Sequence, residues 1–451
     1  MVFKKRMIFV SLFACLTVLM SLKLFALDQS HNIFKQRREK LASMLDEGII
    51  IIKSTESNQR NLYEFFVPNS DNHDFIYLTG LETADATLVL CPGSPEYSEI
   101  LYIKGNHQEI KKVAGIEHVF PPENLMVDLS NAFTDFSLLR YTQRIRKPLS
   151  SEISRVLYNQ GKKKVIYFNF PRFVNLEERP PERLDFIHRI EKFSPKYEIR
   201  DASDLLNRLR MYHDEYGQEQ LRRAVDITGK AIRECMKSVR PGMTEAQLRS
   251  VFRFVCDFNG TDQLGFHTTV RSGPRIKGES SSRRTKVMKE GELIVIDCGA
   301  EVNHYTADIK RTFPVSGKFT AEQKKVYNIL KRVQEACIRM VKPGVTMKDL
   351  QEKAISLLDE AGGYGKYFGW GTSHFLGMDV HDVGNNLIPF KPGIVITVEP
   401  GIVLPEFSVE LEDDVLCTED GYEWLSQSIP REVQEIEEFM KKEGIGKYLN
   451  E

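Results

Sequence analysis

Five side chains in the C-terminal half of the chain have the types and the order that could gather around metal ions: Asp297, Asp308, His374, Glu399 and Glu412. Four carboxylates brought together repel one another and raise each other's pKa unless cations neutralise them. Two divalent ions carry the matching charge. With one histidine added, the oxygen-rich set suits hard or borderline ions such as Mn, Co or Zn better than ions that prefer thiolates. Taken singly, each acid is more often a surface or capping group, and a lone histidine is more often core or surface than ligand. Their arrangement sets them apart.

That arrangement is an internal repeat. Val239-Arg240-Pro241-Gly242-Met243-Thr244 returns as Val341-Lys342-Pro343-Gly344-Val345-Thr346, an offset of 102 residues, and repetition at a fixed offset marks two copies of one structural unit. Each copy opens a helix, with Thr244 and Gln247, then Thr346 and Asp349, placed as N-caps with a reciprocal partner three residues on. At the same offset the apolar strand over 291–299 is answered by 393–401, so Asp297 maps onto Glu399 and Gly299 onto Gly401. A second acid follows each strand carboxylate, Asp308 eleven residues after Asp297 and Glu412 thirteen after Glu399. A strand, a turn and a returning strand would bring each pair back to one neighbourhood, and a pseudo-twofold between the copies would make the two sets converge. His374 lies among small residues, Gly371-Thr372-Ser373 before it and Gly377 after it, which let backbone approach closely.

The elements that must carry this constellation form an α/β (α+β) chain of two domains, expected over 27–205 and 213–440. From about 46 to 200, short apolar runs alternate with helix-compatible stretches: Gly48–Ile52, Asp74–Leu78, Ala86–Leu90 and Ile100–Ile103 read as parts of a small α/β domain. Pro180-Pro181 and the charged segment to Arg210 read as connecting structure. A helix around Gln218 to Ser238 opens the second domain. Residues 1–26 combine Lys4-Lys5-Arg6, an apolar stretch from Met7 to Leu22 and a small-residue ending, the order of an export signal. The expected location is therefore periplasmic or secreted, with a mature start near Leu27. An uncleaved segment would instead anchor the chain to a membrane. With 62 basic and 63 acidic side chains there is no cationic surplus to bind nucleic acid. Beyond Cys15 the six cysteines show no CxxC spacing and read as buried free thiols.

The motifs around the five candidate ligands resemble one family. Ile296-Asp297-Cys298-Gly299, Thr306-Ala307-Asp308-Ile309-Lys310-Arg311-Thr312-Phe313-Pro314, Ser373-His374-Phe375-Leu376-Gly377, Thr397-Val398-Glu399-Pro400-Gly401 and Glu412-Asp413-Asp414 are similar to the pita-bread metallopeptidases. Among these the chain most resembles aminopeptidase P, the Xaa-Pro aminopeptidases. The resemblance implies a creatinase-like N-terminal domain followed by a pita-bread domain. It implies a dinuclear site, manganese first and Co or Zn as alternatives, with Asp297 and Glu412 bridging the metals. Asp308 would complete one metal's ligands, and His374 with Glu399 the other's. Glu399 would also shuttle the proton of a metal-bridged water, and His381 would act beside it and contact substrate. The implied reaction removes the N-terminal residue from Xaa-Pro peptides, with a homo-oligomer as the expected assembly.

Three positions depart from that pattern. Ser280 stands where the family usually has a substrate-binding histidine, seventeen residues before Asp297, and Trp370 stands where another is expected, four before His374. Trp370 could contact substrate through its indole N–H. Glu410 replaces a usual arginine two residues before Glu412, which shifts the local charge by two units. These changes leave open a pita-bread protein that binds metal or peptide with lost or altered catalysis.

Overall fold

A computed structural model describes residues 32–55, 72–133, 164–171, 181–261, 263–274 and 286–450. Ser280 and the export segment over 1–26 lie outside them. The described residues divide between Leu209 and Arg210 into two compact units.

The first unit is built on one six-stranded mixed sheet. Its strands are β1 (Ile49–Lys53), β2 (Thr87–Leu90), β3 (Glu99–Tyr102), β4 (His118–Phe120), β5 (Lys164–Phe168) and β6 (Tyr197–Asp201), in the order β4-β3-β2-β1-β5-β6. The four isoleucines of β1 are fully buried, which is why the strand reads as a continuous apolar run rather than an alternating one.

Two expectations in this unit are corrected. Asp74–Leu78 lies within the helix His73–Thr79, closed by Gly80 in the left-handed region with its N–H on the carbonyl of Ile76. A five-residue apolar run fits a buried strand and a buried helix equally well. The segment before Arg210 is not mere connection: it supplies the helix Glu182–Phe193, strand β6 and the helix Ser203–Arg210. Phe186, Ile187 and Ile190 form the buried stripe of the first helix, so the abundant charges there are the solvated face of an amphipathic element.

The second unit contains the repeat. Its strands are β7 (Thr269–Ser272), β8 (Leu293–Cys298), β9 (Glu301–Val302), β10 (Tyr305–Thr306), β11 (Ile309–Pro314), β12 (Val395–Val398), β13 (Gly401–Val403), β14 (Ser408–Glu410), β15 (Asp413–Cys417) and β16 (Tyr422–Trp424). They assemble as β11-β8-β7, β12-β15-β16, β13-β14 and β10-β9. The offset of the sequence repeat persists in three dimensions. Helices Glu245–Phe258 and Met347–Glu360 are equivalent residue for residue, and both carry the expected capping box. Gly242 and Gly344 have φ of 95° and 93°, and their N–H groups donate to the carbonyls of Met288 and Phe390, 3.0 Å in each case. Cys235 and Cys337 contact the carbonyls of Leu248 and Leu350, each at 3.7 Å. All six described cysteines are buried free thiols.

Candidate metal centre

The backbone brings the acids together. In the antiparallel ladder of β8 and β11, Asp297 lies directly across from Lys310. Asp308 immediately precedes β11, so strand alternation turns Asp308 and Lys310 to the same face. In the second copy, Glu399 follows the last residue of β12 and Glu412 precedes the first of β15, where Val398 pairs with Asp413. The stretch holding His374 runs beside β12: Thr397 N–H donates to the carbonyl of His374 at 3.0 Å and Glu399 N–H to that of Thr372 at 2.7 Å. The glycines after the two strand carboxylates allow close approach. A Cβ on Gly299 would fall 1.7 Å from the Ala307 carbonyl oxygen, and one on Gly401 would fall 2.2 Å from the Trp370 ring.

Two nitrogen atoms organise the cluster. His374 Nε2 lies 3.4 Å from Asp308 Oδ2, 3.5 Å from Glu399 Oε1 and 3.6 Å from Glu412 Oε1. Lys310 Nζ lies 2.8 Å from Glu399 Oε2, 3.0 Å from Glu412 Oε2 and 3.6 Å from Asp297 Oδ2. Glu399 and Glu412 thus give one oxygen to each nitrogen, with Asp308 at the imidazole end and Asp297 at the ammonium end. Asp297 thus stands beside Lys310, across the strand ladder from it. Asp308, His374 and Glu412 offer ligand atoms that all lie within 4.8 Å of one another. His374 Nδ1 is 3.0 Å from the Phe375 carbonyl, and a proton donated there leaves Nε2 as the ligand atom.

Electrostatics agree with a cation site. Burial lifts Asp297 to about 6, Lys310 pulling it down and Glu412 pushing it up. Burial lifts Glu399 to about 7, again with Glu412 adding to the rise. Asp308 and Glu412 are raised as well, first by burial and then by neighbouring carboxylates. Burial opposes charge on His374, but the Asp308 and Glu412 carboxylates that face Nε2 hold its imidazolium well above the ordinary histidine value. Asp308 Oδ1 and both Glu412 carboxylate oxygens are buried without hydrogen-bond partners; the Lys310 contact to Glu412 is an ion pair that lacks hydrogen-bond geometry. Buried orphan oxygens beside an imidazole fit a divalent ion at the Asp308, His374 and Glu412 end.

A pH dependence follows. In the fold Asp297 and Glu399 keep their protons up to about 6 and 7, whereas unfolded carboxyl groups release theirs near 4. The folded state therefore binds more protons across that window, and the metal-free protein loses stability as pH rises through it. Metal binding needs the deprotonated groups. The rise in Tm on adding Mn is expected to be larger at pH 8 than at pH 5.5 by differential scanning fluorimetry, and equal shifts at the two values would contradict the assignment.

Comparison with known proteins now places the chain. A family model described as metallopeptidase family M24 matches residues 219–419, and one for the aminopeptidase P N-terminal domain matches 34–131. A Xaa-Pro dipeptidase of Pyrococcus furiosus is 31% identical over 247 residues, spanning 53% of this chain and 70% of that protein. The chain belongs to metallopeptidase family M24. The Xaa-Pro aminopeptidase of Escherichia coli K12 is 28% identical over 447 residues, covering 91% of this chain and 98% of the other. A solved Bacillus anthracis structure, provisionally assigned as an aminopeptidase P, superposes with a TM-score of 0.79 at 27% identity, covering 92% of this chain and all of that one. The creatinase-like N-terminal unit and the pita-bread unit are the architecture of this M24 group.

Around the M24 centre, Trp370 and Glu410 differ from expectation. The ring of His381 lies edge-on to that of His374 at 4.4 Å, and desolvation at this contact, followed by the charges of His374 and Lys310, pushes it down to about 4. Trp370 does not offer a spare donor. Its Nε1–H is spent on the carbonyl of Glu399 at 3.1 Å while its ring covers Gly401, so it braces the strand end that carries Glu399. Glu410 does not add uncompensated charge either, because the Arg271 guanidinium of β7 reaches it at 3.0 Å. Four residues with a part in the site escaped sequence reasoning: Arg271, Lys310, Arg311 and Asp414. Arg311 is fully buried against Asp413 at 2.7 Å and donates to the carbonyls of Lys310 and Glu412, tying the two returning strands together. Asp414 accepts the Asp308 N–H at 3.2 Å.

Proposed function

We propose that this family M24 member is a metal-dependent aminopeptidase that removes the residue preceding proline from the N-terminus of peptides. The observation that carries the reading is the convergence of Asp308, Glu399 and Glu412 within 3.6 Å of His374 Nε2. Manganese is the first choice of ion, since three carboxylates and one imidazole form an oxygen-rich set. A bound divalent ion would polarise the scissile carbonyl and acidify water. The chain's own groups do the rest. Glu399, buried beside Glu412, takes and returns a proton at its carboxylate oxygens. His381, pushed down to about 4, is neutral at pH 7 and presents a ring N–H or lone pair to the peptide beside the ligand His374. The buried centre keeps its charged groups in a low-dielectric surround, where a donor or charge acts more strongly than in water.

The test is direct. Protein stripped of metal and reloaded separately with Mn, Co and Zn is assayed on Xaa-Pro peptides and on controls with alanine in place of proline. Hydrolysis confined to reloaded protein and favouring the proline peptides by more than tenfold is the expected result. Metal-loaded protein that cleaves neither series would refute the peptidase reading.

A further inference from the structure

We propose that the Lys310 ammonium permanently occupies the position of one ion of the pair, so that this chain holds a single divalent ion at Asp308, His374, Glu399 and Glu412. Three of the five expected ligands, Asp297, Glu399 and Glu412, already face Lys310 Nζ at 2.8–3.6 Å. The ammonium cannot easily be elsewhere. Its strand position lies directly across from Asp297 in the β8–β11 ladder, its backbone is tied to Arg311 and Glu412, and its side chain is only 13% exposed.

Geometry and charge both exclude a second ion. Metal–oxygen bonds to carboxylates run about 2.0–2.2 Å, so an ion shared by Glu399 Oε2, Glu412 Oε2 and Asp297 Oδ2 would have to enter the volume that holds Nζ. Two metals in such sites lie about 3.5–4 Å apart. Four carboxylates, one ammonium and one divalent ion leave a single negative charge. A second divalent ion would leave a buried excess of positive charge beside an immobile ammonium. At the other end nothing competes: Asp308 Oδ1 and Glu412 Oε1 lack hydrogen-bond partners, and the ligand atoms of Asp308, His374 and Glu412 lie within 4.8 Å. Lys310 thus serves as a tethered counter-ion that orients Glu399 and Glu412 toward the remaining ion.

The inference rests on the metallopeptidase reading only for the presence of an ion, and its readout is metal content rather than hydrolysis. Full-length protein is stripped, equilibrated with excess Mn and freed of unbound ion, then measured by elemental analysis and by electron paramagnetic resonance. The wild type is expected to retain one equivalent with the signal of an isolated Mn. Lys310→Ser, which removes the ammonium and opens its volume, is expected to retain two with an exchange-coupled signal. Lys310→Gln serves as the second variant should Lys310→Ser fail to fold, with a weaker second equivalent expected. Two equivalents in the wild type would overturn the role of Lys310, as would a single equivalent in both folded variants. No retained Mn in any form would overturn the metal-site reading itself, a different outcome from either of these.

Discussion

Asp308→Asn is expected to abolish ion binding at the His374 end of the site and to lower kcat/KM on Xaa-Pro peptides by about a thousandfold or more. The same substitution is expected to make the metal-free protein more stable at pH 8. Asp308 offers a ligand atom within the compact group formed with His374 and Glu412, and losing an ion's stabilisation of developing charge would cost several kcal/mol, which is three or more decades of rate. The opposite sign of the stability effect comes from burial. Its carboxyl is raised, first by burial and then by Asp297 against the pull of His374, so the ionised form is a cost to the fold that is present at pH 8 and absent below the unfolded value. Asparagine removes that cost and keeps the backbone N–H that Asp414 accepts. Calorimetric metal titration and thermal melts of the metal-free forms check both halves. A residue with a merely structural part would lose stability on substitution and leave metal affinity unchanged; that pair of results would remove Asp308 from the ligand set.

Much of this centre was legible because the chain repeats itself. The offset that relates Thr244 to Thr346 also relates Asp297 to Glu399, and the structure keeps that correspondence down to the capping boxes and the glycine turns. Covalent order and strand alternation are local, so they survive folding and can be read in advance. What escaped reading depends on pairs made across the fold. Lys310 stands inside a matching motif, but its register opposite Asp297 becomes visible only with the ladder. Arg271 lies 139 positions before Glu410, and no periodicity links them. Trp370 was read as a donor for substrate because its indole N–H is a strong donor, yet the carbonyl of Glu399 had already claimed it. In the N-terminal unit, the apolar run at Asp74–Leu78 was too short for its period to choose between strand and helix.

The Arg271–Glu410 pair changes what should happen when the family's usual arginine is put back at position 410. Glu410→Arg alone is expected to destabilise the protein by about 3 kcal/mol, near the lower end for a broken buried pair. Glu410 is almost wholly buried, its side chain 4% exposed, and its partner's is 28% exposed, so solvent can meet only part of the uncompensated charge. The new guanidinium would also face Arg271 at close range, and the balance of a cation and an anion beside Asp297 would become two cations. For a chain of this size the loss corresponds to a fall in Tm of several degrees. Arg271→Glu combined with Glu410→Arg reverses the pair while conserving its charge, and is expected to recover most of the lost stability. A double-mutant cycle on thermal and denaturant unfolding should then give a coupling energy of about 2 kcal/mol. Additive effects would show that the 3.0 Å contact contributes nothing to the fold, and that Glu410 stands at this position for a reason other than Arg271.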